Sequence, residues 1–290
     1  MRGTDWLLLW TLSFLWGGSF LFVELALAGL PALTIVWARV ALAAAILWAV
    51  VLLSRAEVPP RGVWPALLVM GCLNNAVPFT LLVLAQGQIS GALASVLNAT
   101  TPLFTVLVAH LATRDETLSP VKALGVGLGF AGVVAMLVGE GLGGAVPAMV
   151  ACLGAALSYA LASVWGRRFR AAGLKPVGTA LGQVTASTLL MLPLWLALDR
   201  PWTMGWPGGG PVLAVVALAS LSTALAYLIY FRILGSAGAT AISLVTFLVP
   251  VSAAGLGWLV LGERLRLADL AGLALILGGL ALINRRVART

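Results

Sequence analysis

Ser95, Asn98, Thr101 and Thr105 stand 3, 3 and 4 residues apart in an otherwise apolar run. That spacing puts two hydroxyls, an amide and a further hydroxyl on one helical stripe. Pro102 lies among them; it has no N–H to give the carbonyl four residues back and bends the helix. The pattern returns 148 positions later, where Ser243, Thr246 and Pro250 match Ser95, Asn98 and Pro102. Further stripes are Asn75 with Phe79, beside Asn74; Ser220, Thr223, Tyr227 and Tyr230; and Ser13, Trp16 and Phe20. Amides, hydroxyls and aromatic rings in this arrangement line a cavity for a neutral or zwitterionic solute. Rings offer stacking area and attract an ammonium group, and hydroxyls and amides hold a carboxylate. The competing use is hydrogen bonding between packed helices.

The elements that must position these residues are membrane spans. The 290 residues are 61% hydrophobic and 9% charged, with a mean hydropathy of +1.09. A soluble domain carries about 25% charged residues. Ten apolar runs of about 20 residues follow one another, from Trp6–Ala28 to Leu267–Ile283. The first is longer than the core of a signal peptide and holds Glu24, so it is expected to stay as helix 1. The net charge of +8 reads as membrane orientation rather than nucleic-acid binding, because Lys and Arg fall between the runs. With the N-terminus in the cytoplasm, thirteen of them lie inside and three (Arg200, Arg264, Arg266) outside, with Arg39 within a helix. Both termini are then cytoplasmic, in a multi-pass protein of the cell inner membrane.

Beyond the two proline stripes, Asn75 matches Thr223 and Gly87 matches Gly235 at the same shift. One residue less aligns Glu116-x-Leu118 with Glu263-x-Leu265, Gly125 with Gly272 and Gly132 with Gly279. In the first two helices of each half the match thins to Trp16 against Tyr159. The chain divides into residues 1–138, a glycine-rich linker at 139–146, and residues 147–290. Five helices is an odd number, so the second half runs opposite to the first. The expected fold is an all-α integral membrane protein, ten transmembrane helices in two inverted five-helix repeats around a central cavity.

Trp16-Gly17-Gly18-Ser19-Phe20 on helix 1, Arg39 early in helix 2, and a proline-containing helix 4 followed by Glu-x-Leu make the chain resemble the EamA-type transporters of the drug/metabolite superfamily, over nearly its whole length. Within that group it is similar to bacterial exporters of aromatic and other neutral amino acids. The resemblance implies export of small metabolites from the cytoplasm.

The expected substrate-binding residues are Trp16, Asn74, Asn75, Phe79, Ser95, Asn98, Thr101, Tyr159, Tyr227, Tyr230, Ser243 and Thr246. Pro78, Pro102 and Pro250 are the expected hinges; Ala226 stands where the second half would repeat Pro78. Glu24 lies near the outer end of helix 1 and Arg39 about 13 Å from the outer turn at the helical rise, so the helix 1–2 hairpin allows them to pair. They are read as a structural pair, an outer gate, or unconnected. His110 is an interfacial residue near the inner end of helix 4. Small-residue stripes on helices 5 and 10 suit close packing away from the cavity, or a homodimer seam. Trp6, Trp10, Trp64, Trp202 and Trp206 fall at run ends as interfacial anchors.

Cys72 and Cys152 sit mid-run as small hydrophobes, and one His allows no His-based metal cluster. No Gly-rich phosphate loop with Lys appears. The reading is therefore a non-enzymatic carrier without cofactor or ATP motor, working by alternating access as uncoupled facilitated diffusion, monomeric or homodimeric in the bilayer. A proton-coupled exporter of hydrophobic drugs, an importer and, more remotely, an integral-membrane enzyme are the alternatives.

Overall fold

A computed structural model of the chain describes residues 3–113, 118–139 and 145–284. Glu116, most of the 139–146 linker, and the side chain of Ser243 lie outside the described residues. Among those described there are no strands. Eight helices are long and apolar enough to cross a bilayer. They are α1 Gly3–Leu27, α2 Ala32–Ser54, α3 Arg61–Gln86, α4 Gly91–Ala112, α5 Pro120–Val138, α6 Ala145–Ala171, α7 Pro176–Asp199 and α8 Gly209–Gly238. Two shorter apolar helices follow, α9 Val245–Leu261 and α10 Leu267–Ile283. Leu53, Leu111, Leu213 and Leu259 are largely exposed on the outside, which only a lipid surround makes favourable. Trp6, Trp10, Trp202 and Trp206 are exposed near helix ends.

The helices pair in a regular way. α1 packs on α8 and α9, as α6 packs on α3 and α4. α2 packs on α8 as α7 packs on α3. Adding five to each helix number, modulo ten, converts one list into the other. α2 and α7 pack on each other, as do α5 and α10. Both of these pairs run antiparallel. Thr34 meets Asp199 while Trp48 meets Thr185. A Cβ on Gly125 would stand 2.6 Å from the Gly279 carbonyl oxygen, and one on Gly132 would stand 2.6 Å from that of Gly272. The glycines of α5 and α10 thus let two backbones touch, the close approach that small residues permit in membranes.

Two spans change helical pitch in mid-course, and α7 does so at its end, over Trp195–Asp199. Cys72–Ala76 of α3 and Ser220–Leu225 of α8 are π-helical turns, and they begin 148 residues apart. A π turn shifts the hydrogen-bond register and leaves backbone groups to be satisfied otherwise. In α3, neighbouring hydroxyls do this: Ser187 donates to the Gly71 carbonyl at 3.0 Å and Ser158 to that of Leu73 at 2.7 Å. In α8, Thr223 donates to the Leu218 carbonyl at 2.9 Å. Pro78 follows the α3 turn directly, but α8 makes its own turn without a proline, so proline is not the common cause.

The other expected hinges are displaced. α4 breaks at Ala99–Thr100, between Gly91–Asn98 and Thr101–Ala112, and Pro102 opens the second segment. There its missing N–H costs nothing. The Thr101 hydroxyl covers the Asn98 carbonyl at 2.7 Å. In the second half Pro250 sits inside Val245–Leu261, and the interruptions fall before it, at Leu244 and at Gly238. Gly238 has φ 80°, a conformation that glycine tolerates and other residues resist.

Candidate functional site

Polar side chains on the α3 turn, and on and just after the α8 turn, gather with Arg39 of α2. Asn75, on the α3 turn, is fully buried and donates from Nδ2 to the Tyr227 hydroxyl at 3.0 Å. Asn74 donates to Gln183 Oε1 on α7 at 3.0 Å and more weakly to Tyr227 at 3.4 Å. Thr223, on the α8 turn, accepts from Arg39 Nε at 2.9 Å. The Arg39 guanidinium lies over the Phe79 ring, 3.6 Å from its centre. It is also within electrostatic reach of Tyr159 on α6 and Tyr227. Five helices therefore contribute: α2, α3, α6, α7 and α8. Asn74, Tyr159 and Tyr227 are half-buried and form the accessible edge of the cluster. Asn75 Oδ1 is buried and meets no partner.

An aromatic path leaves this cluster along α8. Tyr227 neighbours Phe231 at 6.4 Å between centres, Phe231 meets Tyr230 edge-on at 5.1 Å, and Tyr230 meets Trp16 of α1 at 5.7 Å. Eight of the expected residues are thus joined into one assembly: Trp16, Arg39, Asn74, Asn75, Phe79, Tyr159, Tyr227 and Tyr230. The helix 4 and 9 stripes are not part of it. Ser95 is buried and gives its hydroxyl to the Ala92 carbonyl of its own helix. Thr101 is occupied likewise. Asn98 is half-buried with an unpartnered Oδ1, and Thr246 is half-buried on α9. The Ser13 hydroxyl bonds that of Ser252 at 2.6 Å, tying α1 to α9.

Glu24 and Arg39 do not pair. α1 packs chiefly on α8 and α9 rather than on α2, so the hairpin partners part company. Glu24 Oε2 accepts from the Gly91 backbone N–H at 3.0 Å. Glu263, from the loop after α9, accepts from the same N–H at 3.2 Å and from that of Ala92 at 3.2 Å. Two carboxyl groups therefore meet at the start of α4, where the helix dipole favours negative charge. Glu263 is the repeat counterpart of Glu116, and its place here was not legible from that match.

Sequence reasoning also passed over Gln183 and Ser187, one turn apart on α7, and Phe231. The i, i+4 spacing of two polar residues in an apolar run was the available signal.

Residues 5–138 and residues 146–285 each match the EamA-like transporter family. The chain belongs to the EamA-like transporter family. Curated relatives of this EamA-like chain include the uncharacterized transporter YvbV of Bacillus subtilis, 27% identical over 288 residues, with 97% of this chain and 91% of that protein covered. The uncharacterized inner membrane transporter YedA of Escherichia coli is 26% identical over 95% of this chain and 89% of its own length. Protein PecM of Dickeya dadantii is 25% identical, covering 81% and 78%. A solved crystal structure at 23% identity covers 100% of both chains with a TM-score of 0.70, a likeness of fold. The chain is thus a multi-pass membrane transporter. Among the described residues no group of His, Cys, Asp and Glu is arranged to hold a metal ion.

Proposed function

We propose that this transporter is a secondary carrier that exports amino acids or similar small zwitterionic metabolites across the inner membrane, both termini in the cytoplasm. It works by alternating access between two inverted five-helix repeats. The observation that carries this reading is the buried cluster of amides, hydroxyls, rings and one guanidinium between the two π turns. A lipid-facing or purely structural interior has little use for so many gathered polar atoms, with Asn75 Oδ1 left unpartnered among them. Three features support the inverted arrangement. The mid-span π turns of α3 and α8 begin 148 residues apart. The main helix pairs of one half map onto those of the other when five is added to each helix number. The self-paired helices α2–α7 and α5–α10 are antiparallel, as a two-fold axis in the membrane plane requires. The breaks in α4 and α8–α9 supply places for one repeat to rock against the other.

Among the described residues Arg39 is the one ionic group in the cluster. A guanidinium keeps its proton at any physiological pH, which supports uncoupled, gradient-driven movement. One observation favours a proton-coupled alternative: the Glu24–Glu263 pair at the head of α4, since two adjoining carboxyl groups commonly share a proton. Counterflow of labelled phenylalanine, threonine and methionine in proteoliposomes tests the carrier reading, with an entrapped pH dye alongside. Counterflow without a pH signal is the expected result. Counterflow of none of the three overturns the amino-acid assignment, and a solute-driven pH change replaces the uncoupled mechanism with the coupled one.

A further inference from the structure

A cation buried inside a membrane protein needs an anion nearby, and among the described residues Arg39 has none. It is 7% exposed, and among the described residues no carboxylate pairs with it. Glu24, its neighbour across the hairpin, is engaged elsewhere. Its one hydrogen bond uses Nε, to Thr223 at 2.9 Å, and its flat face rests on Phe79 at 3.6 Å. These two contacts fix the plane of the guanidinium. The fork formed by the two Nη groups meets no acceptor among the described residues. Such a fork matches a carboxylate in geometry and charge. Close by, Asn75 gives its N–H to Tyr227 and keeps a buried Oδ1 with no donor. The free donors belong to the cation and the free acceptor is an amide oxygen. That distribution is complementary to a solute carrying a carboxylate at one end and an ammonium or other donor beside it.

The geometry points to Arg39 as the anchor for the carboxylate of the transported solute, with Asn75 Oδ1 receiving the solute's adjacent N–H donor. This rests on the carrier reading above and deepens it. It moves Arg39 from a gate to the binding site, and it makes a solute carboxylate a requirement rather than an option. It also accounts for a buried charge that the resting fold leaves without a counter-ion, a state that solute binding relieves.

The test uses purified full-length protein and three probes of one shape: L-phenylalanine, phenylalaninamide, which lacks the carboxylate, and 3-phenylpropionate, which lacks the ammonium. Thermal stabilisation in detergent and counterflow in proteoliposomes are read for wild type, Arg39→Gln and Arg39→Lys. The wild type is expected to be stabilised by the two carboxylates and not by the amide. Arg39→Gln is expected to melt at or above the temperature of the empty wild type, because an unpaired buried charge is gone, and to lose its response to both carboxylates. Arg39→Lys keeps the charge but not the fork, and should bind the carboxylates roughly 10- to 100-fold more weakly. An Arg39→Gln protein that responds to carboxylates as wild type does, or a wild type that binds the amide as well as the acid, overturns the anchor. A wild type stabilised by 3-phenylpropionate but not by phenylalanine keeps the anchor and ends the amino-acid assignment. A wild type that binds no carboxylate at millimolar concentration ends the anchor.

Discussion

Replacing Thr223 by Val removes one oxygen and keeps the shape. That oxygen accepts from Arg39 Nε at 2.9 Å and donates to the Leu218 carbonyl at 2.9 Å, so it both steadies the guanidinium and closes the α8 π turn. A bond to a charged group contributes about 1.5–3 kcal/mol, and a buried carbonyl left open costs about 1 kcal/mol more. The expected loss is therefore about 2.5–4 kcal/mol. With about 2–4 °C per kcal/mol for chains somewhat shorter than this one, the midpoint of thermal unfolding should fall by roughly 5–16 °C. Thr223→Ser retains the oxygen and should recover most of the difference. The Val protein, once reconstituted, should show a raised KM for the transported solute, because its Arg39 is no longer held in plane. The measurements are a melting curve in detergent and a concentration series of counterflow. A Thr223→Val protein with wild-type melting and wild-type KM would refute the claim that the π turn positions Arg39.

Gly132→Val should separate α5 from α10, because the new Cβ lies 2.6 Å from the Gly272 carbonyl oxygen; overpacking costs about 1–3 kcal/mol. Gly127→Val on the same helix meets nothing within 4 Å, so its melting point should stay at the wild-type value. Glu263→Ala leaves the Ala92 N–H without its acceptor and Gly91 with Glu24 alone. A loss of about 1–3 kcal/mol should show as a lower melting point and faster proteolysis near the head of α4. Asp199→Ala removes bonds of 2.6 and 2.7 Å to the Thr34 backbone and hydroxyl. It should destabilise the α2–α7 contact by a similar amount, with a loss of quenching between stacked Trp37 and Trp195, now 3.7 Å apart.

Hydropathy made the spans legible because twenty apolar residues in a row have few other uses. The 148-residue shift matched Asn75 to Thr223, and both lie in the stretches where α3 and α8 change pitch, although nothing in either stretch announces a π turn. A π turn is a shift in hydrogen-bond register, and it is settled by hydroxyls such as Ser158 and Ser187 that arrive from other helices. Proline was the wrong marker for the breaks. Pro102 sits just beyond the interruption and Pro250 six residues past Leu244. The polar stripes of α3 and α8 picked out Asn74, Asn75 and Tyr227, which the fold brings into hydrogen-bond contact, since a stripe on one helix must face something. Gln183 escaped because the repeats match weakly through α7. The Glu24–Arg39 pairing failed for a related reason. Proximity along a hairpin says little once each helix finds its main partner in the other half of the chain.

The central claim is that a solute passes through the space between the two π turns. It is tested most directly by placing a cysteine at Asn74, on the accessible edge of the cluster, in a protein with Cys72 and Cys152 replaced by Ala. A membrane-impermeant thiol reagent is applied in turn to each side of oriented vesicles. The account predicts labelling from both sides, slowed by the transported amino acid. A thiol that reacts from neither side, or one that reacts at a rate the solute does not change, would contradict it.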